Sequence, residues 1–288
     1  MSQRALLASL MAVGIALATG GAASAQNAPR DTASYFAADI VGANEVPAAD
    51  PDGSGKAFVR IKGTEVCFVT TWSNIAAPTA GHIHSGVAGV SGPVRVPFFA
   101  GALPDNLTGL LGCQASDQAT VDAIKADPAA FYVNLHNVEF RAGAVRGQLR
   151  KLNRPVDLDR ELNHGTLAAF ATGAQEFPGP GDPDAFSAAF FSFSGTTVKF
   201  AVSWKNITPP MAAHIHPGAP GTAQPPAVPL FASPTGIPAT ITAVTGTATG
   251  TADVLNDIQR HPRNYYYNVH TTDFPGGAAR GQLTRICF

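Results

Sequence analysis

One uncommon histidine pattern occurs twice in this chain, and a repeat that long constrains the architecture before any other argument. Gly81-His82-Ile83-His84 is followed by Tyr132-Val133-Asn134-Leu135-His136 and then by Arg146-Gly147-Gln148-Leu149. The same order returns as Ala213-His214-Ile215-His216, Tyr266-Tyr267-Asn268-Val269-His270 and Arg280-Gly281-Gln282-Leu283. Trp72 and His82 recur 132 positions later as Trp204 and His214, and His136 and Arg146 recur 134 later as His270 and Arg280. Upstream, Ala43-Asn44-Glu45-Val46-Pro47 is echoed by Ala174-Gln175-Glu176-Phe177-Pro178. A solenoid unit spans only about 20 to 50 residues. A unit of about 100 to 150 residues is long enough for a domain with its own core. The chain reads as a tandem duplication, with domains at 34–152 and 166–288 and a charged linker at 153–165.

The N-terminus reads as an export signal over residues 1–25. Arg4 precedes an apolar stretch over residues 5–19, and Ala23-Ser24-Ala25 has the small-x-small form of a cleavage site. The expected mature chain starts near Gln26 and is exported, periplasmic or extracellular, with no later membrane span. A formal net charge of -1 and 14% charged residues leave no polybasic surface for nucleic acid. Export permits disulfides. Cys67 and Cys113 both lie in the first repeat, and their counterparts in the second, Lys199 and Thr247, lack them together. Their joint absence is what a single bridge within the first repeat predicts, leaving Cys287 over.

Alternation of period two dominates between turn residues, which is the strand signal. Ala57, Val59 and Ile61 share one face, as do Val66, Phe68 and Thr70. Residues 186–193 and 197–204 form the matching hairpin of the second repeat around Ser194-Gly195-Thr196. With 29 glycines and 23 prolines the chain suits short strands and many turns. One short helix per repeat is expected, at 117–126 before Pro128 and at 251–260 before Pro262. The expected class is all-β: two antiparallel sandwich or open-barrel domains.

In a strand, residues i and i+2 project from one face. His82 and His84 therefore oppose Ile83, and Tyr132, Asn134 and His136 oppose Val133 and Leu135. His214, His216 and His270 repeat this arrangement opposite Ile215, Tyr267 and Val269. If the two strands pair, three imidazoles converge. Three neutral imidazoles suit copper or zinc with a fourth position open. The competing reading is that the histidines are hydrogen-bonded structural residues. Glu45 and Glu176 are candidates to support a histidine or to act as a fourth ligand. Arg146 and Arg280 either bind an anion near the histidines or tie down loop carbonyls, and Gln148 and Gln282 share that face. Trp72 and Trp204 read as core. His164 and His261 stand outside the pattern and read as solvated.

These residues resemble the CHRD domain, named for its repeats in chordin and found in exported bacterial proteins. The resemblance rests on Glu45-Val46-Pro47, Ala213-His214-Ile215-His216 and Tyr-x-Asn-x-His followed by Phe-x-x-Gly and Arg-Gly-Gln-Leu. It implies a β-rich fold and, by analogy, an interaction role. A second likeness is to copper/zinc superoxide dismutase, which implies copper ligands at His82, His84 and His136 and at His214, His216 and His270. Between His84 and His136 there is no histidine to bridge to a second metal, so that likeness carries over a copper site alone. The leading expectation is an exported, non-enzymatic protein that binds an extracellular or envelope partner. The alternatives are a copper-dependent redox enzyme and a structural or adhesive module.

Overall fold

The structure, a computed structural model, describes residues 33–162 and 165–286. The signal-peptide reading of 1–25, His164 and Cys287 lie outside them. The first repeat holds β1 (Ser34–Val41), β2 (Ser54–Lys62), β3 (Glu65–Ser73), β4 (Ala80–Ser85), β5 (Val94–Ala100), β6 (Leu107–Ala115), α1 (Gln118–Ala126), β7 (Phe131–His136), β8 (Val145–Gln148) and β9 (Arg150–Leu152). After α2 (Leu158–Leu162) the second repeat holds β10 (Leu167–Thr172), β11 (Phe186–Ser194), β12 (Thr197–Lys205), β13 (Ala212–Pro217), β14 (Val228–Ala232), β15 (Ile241–Thr249), α3 (Ala252–Arg260), β16 (Tyr265–His270), β17 (Ala279–Gln282) and β18 (Thr284–Arg285). The all-β expectation holds.

Every strand pair is antiparallel. The first repeat runs β5-β4-β7-β8-β1-β2-β3-β6. The second runs β14-β13-β16-β17-β10-β11-β12-β15 in the same way. In each β-sandwich one face of every strand turns inward. Phe36, Ile61, Phe68, Ile83, Phe98, Leu110 and Val133 are fully buried in one apolar cluster that continues into the second repeat through Phe200, Ile215, Val244 and Val269. Trp72 and Trp204 belong to it, as expected. Burying a side chain of this size stabilises by about 1.5 to 3 kcal/mol, so this inner face holds the sheets together.

The two repeats join edge to edge through β6 and β15, and the register of that ladder is symmetric. Leu110 pairs with its own counterpart Val244, Gly109 with Thr245, Leu111 with Ala243, Gly112 with Ile241 and Leu107 with Gly246. Each pair is matched by the pair in which the repeats exchange places, as a local two-fold relation requires. An exposed edge strand carries a row of unpaired backbone groups. Here each edge satisfies the other.

Each repeat has its one expected helix, α1 and α3, and among the described residues a third, α2, lies in the linker between them. Leu158 and Leu162, four residues apart on one face of α2, are buried against Cys67, Val69 and Leu111 of the first repeat and Ala243 of the second. The linker thus covers the outer face where the repeats meet. The other two helices match, with their caps supplied by Asp117 to the Thr120 N–H at 2.7 Å and by Thr251 to the Val254 N–H. Cys67 and Cys113 face each other across β3 and β6 and form the expected disulfide. The aligned pair in the second repeat is Lys199 and Thr247, again direct cross-strand neighbours.

Candidate metal centre

Strand pairing supplies what spacing alone left open. β4 lies against β7 with Ala80 opposite His136, His82 opposite Asn134 and His84 opposite Tyr132. β13 and β16 repeat this register with Ala212 opposite His270, His214 opposite Asn268 and His216 opposite Tyr266. Side chains on one face of such a pair are neighbours, so all three imidazoles of a repeat meet. In each repeat one ring nitrogen from each histidine lies within 4.8 Å of the others.

The hydrogen bonds decide which nitrogens face inward. His84 donates from Nδ1 to the Gly92 carbonyl at 2.9 Å, and His136 donates from Nδ1 to the Arg141 carbonyl at 3.1 Å. A carbonyl only accepts, so both rings are fixed with a lone pair on Nε2. His84 Nε2 is buried and has no hydrogen-bond partner. His136 Nε2 lies 3.1 Å from His82 Nδ1. The second repeat is built alike: His216 donates to the Gln224 carbonyl at 2.8 Å and His270 to the Pro275 carbonyl at 3.0 Å. There His216 Nε2 is the buried nitrogen without a partner, and His214 Nδ1 lies 3.1 Å from His270 Nε2.

Three imidazole nitrogens within 4.8 Å of one another are a set that could hold one metal ion, and one pair already has the spacing of two ligands. Metal–imidazole bonds are about 2.0 to 2.1 Å, so two nitrogens 3.1 Å apart subtend roughly 100° at a shared ion. Without an ion, His82 must donate its Nδ1 proton to His136 Nε2; with one, that proton belongs on His82 Nε2. Carbonyl bonds to the far nitrogens of His84 and His136 are the kind of outer support that orients metal ligands. Burial, followed by the neighbouring His136 and His84, pulls His82 down to about 4, and His214 is pulled down to about 4 in the same way. Burial also lowers the other four histidines, against the opposing effect of their carbonyl bonds. Neutral imidazoles are the form that ligates.

The remaining residues of the pattern surround this cluster. Arg146 is buried and donates from Nε to the Asn44 carbonyl at 2.6 Å and from Nη1 to the Val90 carbonyl at 3.3 Å. Arg280 donates to the carbonyls of Thr222 and Ala219 at 2.6 and 3.0 Å. Of the two expected roles, tying down loop carbonyls is the one the contacts display. Gln148 holds the carbonyls of Gly86 and Ala129, and Gln282 holds those of Gly218 and Arg263.

Glu45 and Glu176 lie outside the nitrogen cluster, each packed on a turn glycine. A Cβ on Gly143 would come 2.5 Å from Glu45 Oε1, and one on Gly277 2.6 Å from Glu176 Oε2. Burial raises both carboxyls to about 7, against the opposing charges of Arg146 and Arg280. His261 is exposed and hydrogen-bonded to Asp257.

Two contributors escaped the sequence reading. Tyr132 and Tyr266 stack on His84 and His216 with ring centroids 5.1 and 4.8 Å apart, and each also lies under an arginine guanidinium. Their place in Tyr-x-Asn-x-His, one strand face with the histidine, was the available clue. The carbonyls of Gly92, Arg141, Gln224 and Pro275 had none, because a backbone acceptor has no residue signature.

The CHRD domain family matches the chain twice, at residues 36–149 and 167–283. No curated protein matches the chain.

Proposed function

The chain belongs to the CHRD-domain family, with two domains in tandem, and from that premise we propose that it is an exported binding protein holding one transition-metal ion, copper or zinc, in each domain. The observation that carries the reading is the same in both repeats. A buried imidazole nitrogen without a partner, His84 Nε2 or His216 Nε2, accompanies two further nitrogens from His82 and His136 or from His214 and His270. A lone pair buried without a donor is costly, and a metal ion removes that cost.

In this reading the ion supplies Lewis acidity at an open fourth position, reached past the half-buried His82 and His136. Tyr132, Arg146 and Gln148 hold the covering loop so that the rings keep their orientation. The partner is an extracellular or envelope protein, in keeping with the family and with a disulfide suited to an oxidising compartment. Among the described residues no helix is long and apolar enough to cross a membrane. A second reading, copper redox catalysis, draws on the same open position.

Metal analysis of the purified mature chain with His82→Ala and His214→Ala variants tests the proposal. Two equivalents of copper or zinc, each variant losing one, is the expected result. No binding at micromolar metal, with variants that are merely less stable, refutes it. If copper binds, superoxide turnover separates the enzyme from the binding protein.

A further inference from the structure

The second repeat carries a cavity of about 430 Å³ at the C-terminal end of α3, lined by Arg260, His261, Arg263, Asn264 and Arg285 among others. No acidic side chain lines it, and among the described residues no carboxylate lies within ion-pair distance of the three guanidinium groups. The nearby Asp257 is engaged by His261 at 2.9 Å and by the Tyr265 hydroxyl at 2.6 Å, and it also feels the charge of Arg260, which leaves Arg263 and Arg285 without an acidic neighbour among the described residues.

Part of this charge has a local explanation. Arg260 lies in the last turn of α3, where a cation complements the helix dipole, and Arg285 donates from Nη2 to the Gln259 carbonyl. Neither role accounts for Arg263 or for the placing of three arginines along one hollow. The first repeat sharpens the point. Its helix ends with Ala126, Asp127, Pro128 and Ala129 where the second has Arg260, His261, Pro262 and Arg263. Arg285 is matched there by Lys151, so it is the turn alone that is built without Arg260 and Arg263, and its folding does not require those two.

We propose that this cavity is a binding site for a phosphate-bearing ligand, present in the second repeat alone and separate from the histidine clusters. Arginine presents a planar fork that meets two oxygens of a phosphate at once, and several forks around one hollow select clustered oxyanions over a single carboxylate. A bound phosphate group offsets the mutual repulsion of the arginines. The phosphate arrives either on a soluble molecule or on a lipid headgroup.

Calorimetric titration of the metal-free full-length mature chain with inorganic pyrophosphate at low ionic strength tests the site. Co-sedimentation with phosphatidylglycerol vesicles, against phosphatidylcholine vesicles, distinguishes the two sources. Saturable binding of one pyrophosphate per chain is expected, weakened at least about tenfold by Arg263→Ala and further by Arg260→Ala/Arg263→Ala. Arg285→Ala removes a helix contact, so Arg263→Glu, which leaves that contact in place, serves as the charge-reversing variant and should abolish binding. Vesicle binding that Arg263→Glu abolishes assigns a lipid headgroup, and pyrophosphate binding without it assigns a soluble ligand. No saturable pyrophosphate or vesicle binding, or binding that Arg263→Glu leaves unchanged, overturns the proposal. Metal stoichiometry stays at its wild-type value in every variant, so failure here is distinguishable from failure of the metal reading.

Discussion

The two repeats agree where they face inward and around the histidines, and differ where they face solvent. Ring placements, carbonyl partners and the tyrosine–arginine stack recur position for position. On the outer sheet face the first repeat carries Asp39, paired with Arg150, together with Ser54 and Lys56. By register the second carries Phe170, Phe186 and Ala188 at those places, with Phe170 and Phe186 about half exposed. The first has a disulfide where the second has Lys199 and Thr247, and the second has Arg260, Arg263 and Arg285 lining a cavity where the first has Ala126, Ala129 and Lys151. An exposed substitution usually changes stability by less than about 0.5 kcal/mol. Outer faces are therefore free to diverge, whereas a change beneath the histidines disturbs packing and hydrogen bonds together. What the repeats share points to a common task, and what they do not share points to separate contacts.

The largest test of that comparison is the equivalence of the two centres. His84→Ala and His216→Ala should each remove one of two metal equivalents, lowering affinity at that site by more than about 100-fold while the other keeps its own. Loss of both ions from either single variant would show that the centres are one coupled unit. The next effect belongs to the first repeat. The Cys67–Cys113 bridge spans 46 residues of sequence, so Cys67→Ser/Cys113→Ser should cost up to about 4 kcal/mol in denaturant unfolding. Lys199→Ala/Thr247→Ala at the matching pair should cost under about 0.5 kcal/mol. Similar losses from both double variants would remove the asymmetry assigned to the bridge.

The pH dependence of the metal-free protein should be the same in both repeats. His82 and His214 stay neutral down to about 4 when folded, so between pH 6.5 and 4 they take up protons on unfolding. Their contribution to stability is lost as pH falls through that window. Glu45 and Glu176 act in the opposite sense. Their folded values near 7 lie above the ordinary 4.5, so their contribution is present below 4.5 and lost as pH rises through 7. Glu45→Gln and Glu176→Gln should each flatten the fall in Tm between pH 5 and 8 by a similar few degrees, on the order of what 1 kcal/mol moves. An unchanged profile in either variant would set that repeat apart. The smallest change in folding is expected at the outer face, where Phe170→Ser and Phe186→Ser should leave Tm within about 2 °C. If that aromatic face mediates self-association, the same variants will lower it in sedimentation velocity, whereas Lys56→Ala will not. A large loss of Tm would mean that the face is part of the core.

Much of the fold was legible because it is written in local pattern. Alternation at Ala57, Val59 and Ile61 marks an inner face whatever that face later packs against. The histidine cluster was half legible. Spacing put His82 and His84 on one side of a strand, but only the pairing of β4 with β7 brought His136 to them. The face they share also differs from what polarity suggests, since Tyr132, Asn134 and Arg146 are as buried as the core. Loops fold over it, and their carbonyls accept from His84, His136, Gln148 and the Nε and Nη1 of Arg146. The linker misled for a related reason: five residues with two leucines carry too little periodicity to mark a helix, and α2 forms because both leucines find an apolar surface.

The amino-acid sequence by itself determined the duplication, the strands and the identity of the six imidazoles, since each is a repeated or alternating property of neighbouring residues. Tertiary structure alone decided which nitrogen of each imidazole faces inward, that β6 and β15 pair, and that Arg260, Arg263 and Arg285 line one hollow. Those features depend on backbone carbonyls and strand edges, which every residue type offers alike, and on contacts between residues far apart in the chain. Side-chain pattern marks what a strand turns inward, while the meeting of chemically anonymous backbone decides what that pattern can hold.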